Sequence, residues 1–284
     1  MTAALRLKPK NRAASLLAHA REHRYAIGAF NAVNMETAEA IVQAAELEKA
    51  PVILQVSENA ARYAGLEHLT AVCQSLREHA SIPVILHFDH AETLESALTA
   101  VALGYDMVML EGGDLDLDGN ARRLKLLSKT AHALGVAVEG EFEVTLKGDR
   151  DATHLSASLL EDFMKVSGVD AVAVDIGTSH KQTEKTAKLD LHHLRDLARH
   201  TAAPLVLHGS SGATPEDLRL AIFEGISKVN VATELMLEFT RGVREQLSDP
   251  QLYDARKYLG YAREVMTERV RTLIQNFGSS GQVL

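Results

Sequence analysis

Residues 83–89 read PVILHFD, a proline and a short apolar run that turns polar at its end and is followed by His90. Seven other stretches have the same character: residues 25–31 (YAIGAFN), 51–57 (PVILQVS), 106–111 (DMVMLE), 136–143 (VAVEGEFE), 170–177 (DAVAVDIG), 204–209 (PLVLHG) and 228–233 (KVNVAT). Near-continuous apolar strands are what a parallel sheet buried on both faces requires. Successive runs start roughly 30 residues apart, the length of one strand with its crossover helix. Eight such units predict an α/β fold, a (β/α)8 TIM barrel, with a doubly wound open sheet as the alternative.

The segments between the runs carry helical periodicity. Residues 35–49 (METAEAIVQAAELEK) have apolar positions at helix spacing, with Asn34 as the expected N-cap. Thr214, Pro215, Glu216 and Asp217 supply a cap, a proline at the first helical position and acids in the first turn. Beyond the eighth run, residues 234–247 and 248–277 read as two further helices, a C-terminal extension spanning 234–277, and the tail GSSGQVL is expected to be mobile. No linker or low-complexity stretch divides the chain, so residues 1–284 are read as one barrel domain.

Composition narrows the function. The net charge of −8 offers no broad attraction for nucleic acid or an anionic membrane. A single cysteine, Cys73, excludes an internal disulfide framework and suits a reducing compartment. There is no apolar run of spanning length and no apolar signal core in MTAALRLKPK. The expectation is a cytoplasmic protein without nucleic-acid or membrane partners.

In such a barrel the chemistry lies at the C-terminal ends of the strands. The third run ends His87-Phe88-Asp89-His90, the sixth runs into Gly177-Thr178-Ser179-His180, and the seventh ends Leu207-His208-Gly209. Three imidazoles from three strand ends can converge above a barrel, and three neutral histidines around Zn²⁺ leave a position open for substrate. The bland reading is three of 13 histidines in ordinary loops. His19, His23, His68, His79 and His132 fall in helical stretches and read as solvated surface residues. The fifth run places Glu139, Glu141 and Glu143 on one strand face, and the fourth ends in Glu111. The Gly/Ser loop from Gly209 to Gly212, followed by Asn230 and Thr233 at the next strand end, suits a phosphate, because glycine lets backbone N–H groups approach an anion.

The order and spacing of GAFN (28–31), PVILQVS, PVILHFDH, GTSH, PLVLHGSSG, KVNVATEL and YDARKYLGYARE (253–264) resemble the class II, zinc-dependent ketose-bisphosphate aldolases nearly end to end. The resemblance implies Zn²⁺ held by His90, His180 and His208, with Glu111 and Glu141 as nearby acids, and admits a monovalent cation as a second ion. It places the acid/base aspartate on Asp89, and the dihydroxyacetone-phosphate site on Gly209, Ser211, Asn230 and Thr233. Arg256 resembles an arginine that binds the second phosphate, from the same or a neighbouring subunit, and the family forms dimers and tetramers. The implied substrate is a phosphorylated ketose.

Three departures stand out. The family's glycine after the strand-six histidine is Lys181 here, read as a phosphate or carboxylate contact. The family's Gly-Gly-x-Glu-Asp loop is LKGDRD at residues 146–151, so the glutamate that handles the proton at C3 is missing and Asp149, or Asp151, is its candidate replacement. The strand-four Asp-Gly-Ser-His is Glu111-Gly112-Gly113-Asp114. In addition, the Asn230-Val-Ala-Thr233 form, with Ala232 for the usual aspartate, matches the tagatose-type branch. Tagatose 1,6-bisphosphate therefore ranks first, fructose 1,6-bisphosphate second and a deoxy-ketogluconate phosphate third. Two rival readings are a Schiff-base aldolase using Lys181 and a non-catalytic sugar-phosphate sensor or accessory barrel.

Overall fold

The computed structural model describes residues 11–142, 155–178, 185 and 187–283. Eight strands run in sequence order around a closed barrel: β1 (Ile27–Asn31), β2 (Val52–Ser57), β3 (Val84–Ala91), β4 (Met107–Leu110), β5 (Ala137–Phe142), β6 (Ala171–Val174), β7 (Leu205–Leu207) and β8 (Ile226–Val231). Every neighbouring pair is parallel, and β8 returns to β1 with Lys228 opposite Ile27. Closure overturns the open-sheet alternative. The strands are shorter than the apolar runs at most ends. Pro51 and Pro83 sit just outside β2 and β3, where a residue without an N–H costs the ladder nothing, while the Pro83 carbonyl still accepts from Val52 N–H. β8 instead begins two residues earlier than expected.

Alternate residues of each strand point into the barrel, and the interior changes character with height. At the bottom, Ile27, Ile53, Ile85, Met107, Ala137, Ala171 and Val206 form an apolar cluster with Leu16, Leu17 and Tyr25, so the helix Arg12–Glu22 plugs that end. One step up β2, β3 and β5 stand Gln55, His87 and Glu139, joined by Lys228 of β8, all buried. A further step brings Asp89 and Asn230 to the open top.

The outward strand faces pack under the helices in one large core. Asn34 caps the helix Met35–Glu48 in a reciprocal capping box with Thr37, and Thr214 caps Pro215–Glu224 as expected. The two C-terminal helices are Thr233–Gln246 and Ala255–Asn276. The second starts later than position 248 because turns around Pro250 precede it and Asp254 caps it. The two helices approach closely at Gly242, where a Cβ would lie 2.7 Å from Ala262 Cα. The expected mobile tail is tied down over residues 278–283. Ser279 is buried, Gly281 N–H donates to the Glu48 carbonyl and Ser280 Oγ to its carboxylate. His19 is half-buried, not a solvated surface residue, because its ring meets the Tyr25 hydroxyl at 3.0 Å and stacks on His23.

Candidate active site

β3 shifts register between Phe88 and Ala91, and His90 adopts a left-handed backbone with φ 54°. In a regular strand Asp89 and His90 would face opposite sides. The irregularity brings His90 Nε2 within 3.6 Å of Asp89 Oδ2. Asp89 is 2% exposed. Its Oδ2 accepts from Gln55 Nε2 at 2.9 Å, while its Oδ1 is buried with no protein partner. Gln55 also donates to Asn31 Oδ1 at 2.9 Å, and its Oε1 meets His87 Nδ1 at 3.0 Å. One amide in β2 thereby orients polar groups of β1 and β3.

His208, just beyond β7, stands beside His90 with ring centroids 5.3 Å apart. Each ring is held on one nitrogen by a carboxylate at 3.0 Å: His90 Nδ1 by Glu111 Oε1 and His208 Nε2 by Glu139 Oε1. Burial alone would lower the His90 pKa, but Asp89, the bond to Glu111 and the nearby Glu141 carry it up to about 9. Burial raises the Glu141 carboxyl. Burial would also raise Glu139, yet the Lys228 ammonium 2.8 Å away, followed by His208, holds it well below the usual carboxylate range.

A cavity of about 590 Å³ is lined by Asp89, His90, Glu111, Glu141, Gly209, Ser211, Asn230 and Thr233, among others. Sequence-derived candidates at the ends of β3, β4, β5, β7 and β8 therefore line one cavity, with His208 beside it against His90. At the ends of β7 and β8, Gly209 has φ 60° and leads into the turn Ser210–Gly212, and Ser210 Oγ donates to the Asn230 carbonyl at 2.7 Å. Thr233 opens the helix Thr233–Gln246, whose first N–H groups suit an anion. Arg256 is not brought into this lining. Its side chain is 91% exposed and pairs with Asp254, because it sits at the start of the outer helix Ala255–Asn276. Asp149, Asp151, His180, Lys181 and Glu143 lie outside the described residues.

A family model described as fructose-bisphosphate aldolase class-II matches residues 11–282. The chain belongs to the class II fructose-bisphosphate aldolase family. A fructose-bisphosphate aldolase of Thermus caldophilus is 38% identical over 298 aligned residues, covering 94% of this chain and 97% of that protein. A sulfofructosephosphate aldolase of Alkalicoccus urumqiensis is 34% identical over 277 residues, covering 94% and 96%. The crystal structure of the YdjI aldolase from Escherichia coli K12 superposes with a TM-score of 0.86 at 28% identity, over 96% of this chain and 98% of that one. The chain is thus a class II aldolase, a carbon–carbon lyase, of a family that is generally metal-dependent.

The residues present fit such a metal. A carboxylate on one nitrogen of an imidazole fixes the tautomer and turns the other nitrogen's lone pair to a metal; for these two rings that nitrogen would be Nε2 of His90 and Nδ1 of His208. Asp89, Glu111 and Glu141 around His90 create the negative field a divalent cation would meet. Among the described residues no three His, Cys, Asp or Glu side chains already form a metal-holding group.

Sequence reasoning noted Glu139 among the acids of the fifth run without giving it a role, and missed Gln55, His87 and Lys228 as parts of the site. Their signal was present, since each is a polar residue inside an otherwise apolar strand at an inward position. It also passed over Asn120, which lines the cavity. Its Nδ2 donates to the Glu141 carbonyl at 3.1 Å, and its buried Oδ1 has no partner.

Proposed function

We propose that this aldolase catalyses zinc-dependent, reversible cleavage of a phosphorylated ketose to dihydroxyacetone phosphate and an aldehyde. The observation that carries the reading is Asp89: a buried carboxylate, oriented by Gln55 and beside two carboxylate-held imidazoles, with one oxygen left for a ligand. A binding protein has little use for an acid/base group at that point, which argues against the sensor reading.

His90 and His208, with His180 from the strand-six loop, would hold Zn²⁺, and Glu111 and Glu141 stand nearby. The metal supplies Lewis acidity where negative charge develops at the ketose carbonyl oxygen as the C3–C4 bond breaks. Asp89 takes the proton of the C4 hydroxyl, and that oxygen becomes the aldehyde. Asp149 then returns a proton to C3. The Gly209–Ser211 backbone, Asn230 and Thr233 grip the phosphate and orient the reacting carbons from a distance. Lys181 contacts a phosphate or carboxylate in this scheme.

Ala232 between Asn230 and Thr233 favours tagatose 1,6-bisphosphate, ahead of fructose 1,6-bisphosphate and a deoxy-ketogluconate phosphate. Exposed Arg256 would reach a second phosphate in a neighbouring subunit of a homodimer or homotetramer. A monovalent cation is a candidate second ion. The chain works as one barrel domain with its 234–277 extension, in the cytoplasm. No helix among the described residues is long and apolar enough to cross a membrane.

A coupled assay across these ketose phosphates, with EDTA or added Zn²⁺, tests the reading. Cleavage should vanish on chelation and in His208→Ala, and return with Zn²⁺ in the chelated wild type. Full activity after chelation would reject the metal role. A borohydride-trapped adduct with dihydroxyacetone phosphate would move the chemistry to Lys181.

A further inference from the structure

Below the reacting groups, the barrel holds a lysine and a glutamate with no access to water: both Lys228 and Glu139 are 0% exposed. Lysine is rarely fully buried unless paired, and a buried pair confers little or no stability over apolar residues of similar volume. The layer beneath it is filled with isoleucine, alanine, valine and methionine, so the barrel can be packed without charge at this height.

The two charges have partners that matter. Glu139 Oε1 meets His208 Nε2 at 3.0 Å, and the carboxylate can only accept there. The proton of a neutral His208 is therefore on Nε2 and its lone pair on Nδ1. The other Glu139 oxygen lies 2.8 Å from Lys228 Nζ. Lys228 Nζ donates to Asn230 Oδ1 at 2.7 Å. An ammonium can only donate, so the Asn230 oxygen is turned toward Lys228 and its NH₂ is turned away from the ion pair. Asn230 itself lines the cavity. The chain His208–Glu139–Lys228–Asn230 runs beneath the site from its imidazole side to its phosphate side.

We propose that the Lys228–Glu139 ion pair is a positioning device that sets the His208 imidazole for the metal and the Asn230 amide for the substrate phosphate together. It rests on the reading of His208 as metal ligand and Asn230 as phosphate ligand given above. Without the carboxylate, His208 is free to take the other tautomer. Without the ammonium, the Asn230 amide is free to flip its oxygen toward the anion.

The test is the double variant Lys228→Met/Glu139→Gln, which leaves no buried charge and nearly unchanged volumes. Its far-UV spectrum should match the wild type. Zn²⁺ affinity of the chelator-stripped protein, read by competition with a chromophoric chelator, should fall about 10–100-fold, the usual cost of losing an outer-shell partner. The dissociation constant of dihydroxyacetone phosphate from Zn²⁺-saturated protein should rise. Adding Asn230→Ala should then cost less than it does in the wild type, because the pair acts through that amide. A second arm, Glu139→Gln alone, keeps the amine at 228 and should lose Zn²⁺ affinity even if the double variant fails to fold. Zn²⁺ and dihydroxyacetone phosphate constants within twofold of wild type in the folded double variant, or unchanged Zn²⁺ affinity in Glu139→Gln, would overturn the proposal. A wild type that binds neither probe would instead sink the functional reading beneath it.

Discussion

Asp89 and His90 are consecutive residues of one strand, yet their side chains meet, Oδ2 to Nε2, at 3.6 Å. The register shift after Phe88 and the left-handed backbone at His90 turn both toward the same cavity. The strand gives up its regular alternation at the position where the proposed proton acceptor and the proposed metal-holding imidazole stand together.

That backbone makes a stability prediction. Asn tolerates the left-handed region and β-branched residues do not, at a cost of roughly 1–2 kcal/mol per residue. Both His90→Asn and His90→Val remove the imidazole. Urea unfolding in the presence of chelator should find the valine variant less stable than the asparagine variant by about that amount. Equal midpoints and slopes would mean that position 90 is not left-handed.

Asp89→Asn should separate chemistry from binding. An asparagine can still accept the Gln55 hydrogen bond that orients this position. Loss of a general acid/base group costs about 10²–10⁴-fold, so kcat should drop by that factor. Zn²⁺ content and dihydroxyacetone phosphate affinity should stay near wild type. A variant retaining wild-type kcat would move the proton transfer elsewhere.

His87 should shape the acid limb of stability. Burial, then the Lys228 cation, pushes its pKa from 6.5 down to about 3. Between those pH values the unfolded chain binds a proton there that the folded chain refuses. This contribution is intact above pH 6.5 and falls, as pH drops toward 3, by up to about 1.4 kcal/mol per unit. His87→Asn keeps a donor for Gln55 and should flatten the limb, measured by denaturant unfolding at a series of pH values. Parallel limbs for both proteins would refute it.

Cys73 should be silent in the folded protein. It is fully buried and free, and burial pushes its thiol up to about 12. A colourimetric thiol reagent at pH 8 should titrate no Cys73 in the native protein and one thiol after denaturation. Prompt native reaction would place it at the surface.

The eightfold rhythm of apolar runs was enough to predict the barrel, because a strand buried on both faces has to be apolar along its whole length. The histidines and acids at the strand ends were legible for a related reason: they interrupt those runs. Asp89, His90, Glu111, Glu141 and His208 could be named from the chain alone; the structure brings the first four to one cavity and sets the His208 ring beside His90. Helix boundaries after β8 and the pinned tail were not legible, since they depend on partners such as Glu48 that are far away in sequence.

Only the tertiary structure decided what the mid-strand polar residues do. Gln55, His87, Glu139 and Lys228 come from four strands, and each looks in sequence like a flaw in an apolar run. Closing the barrel puts them at one height, out of water, where each must find its hydrogen-bond or charge partner on another strand. Local sequence specifies which residues point inward, through a period of two. Which inward residues meet is set by strand register and closure, properties of the assembled sheet that no single segment carries.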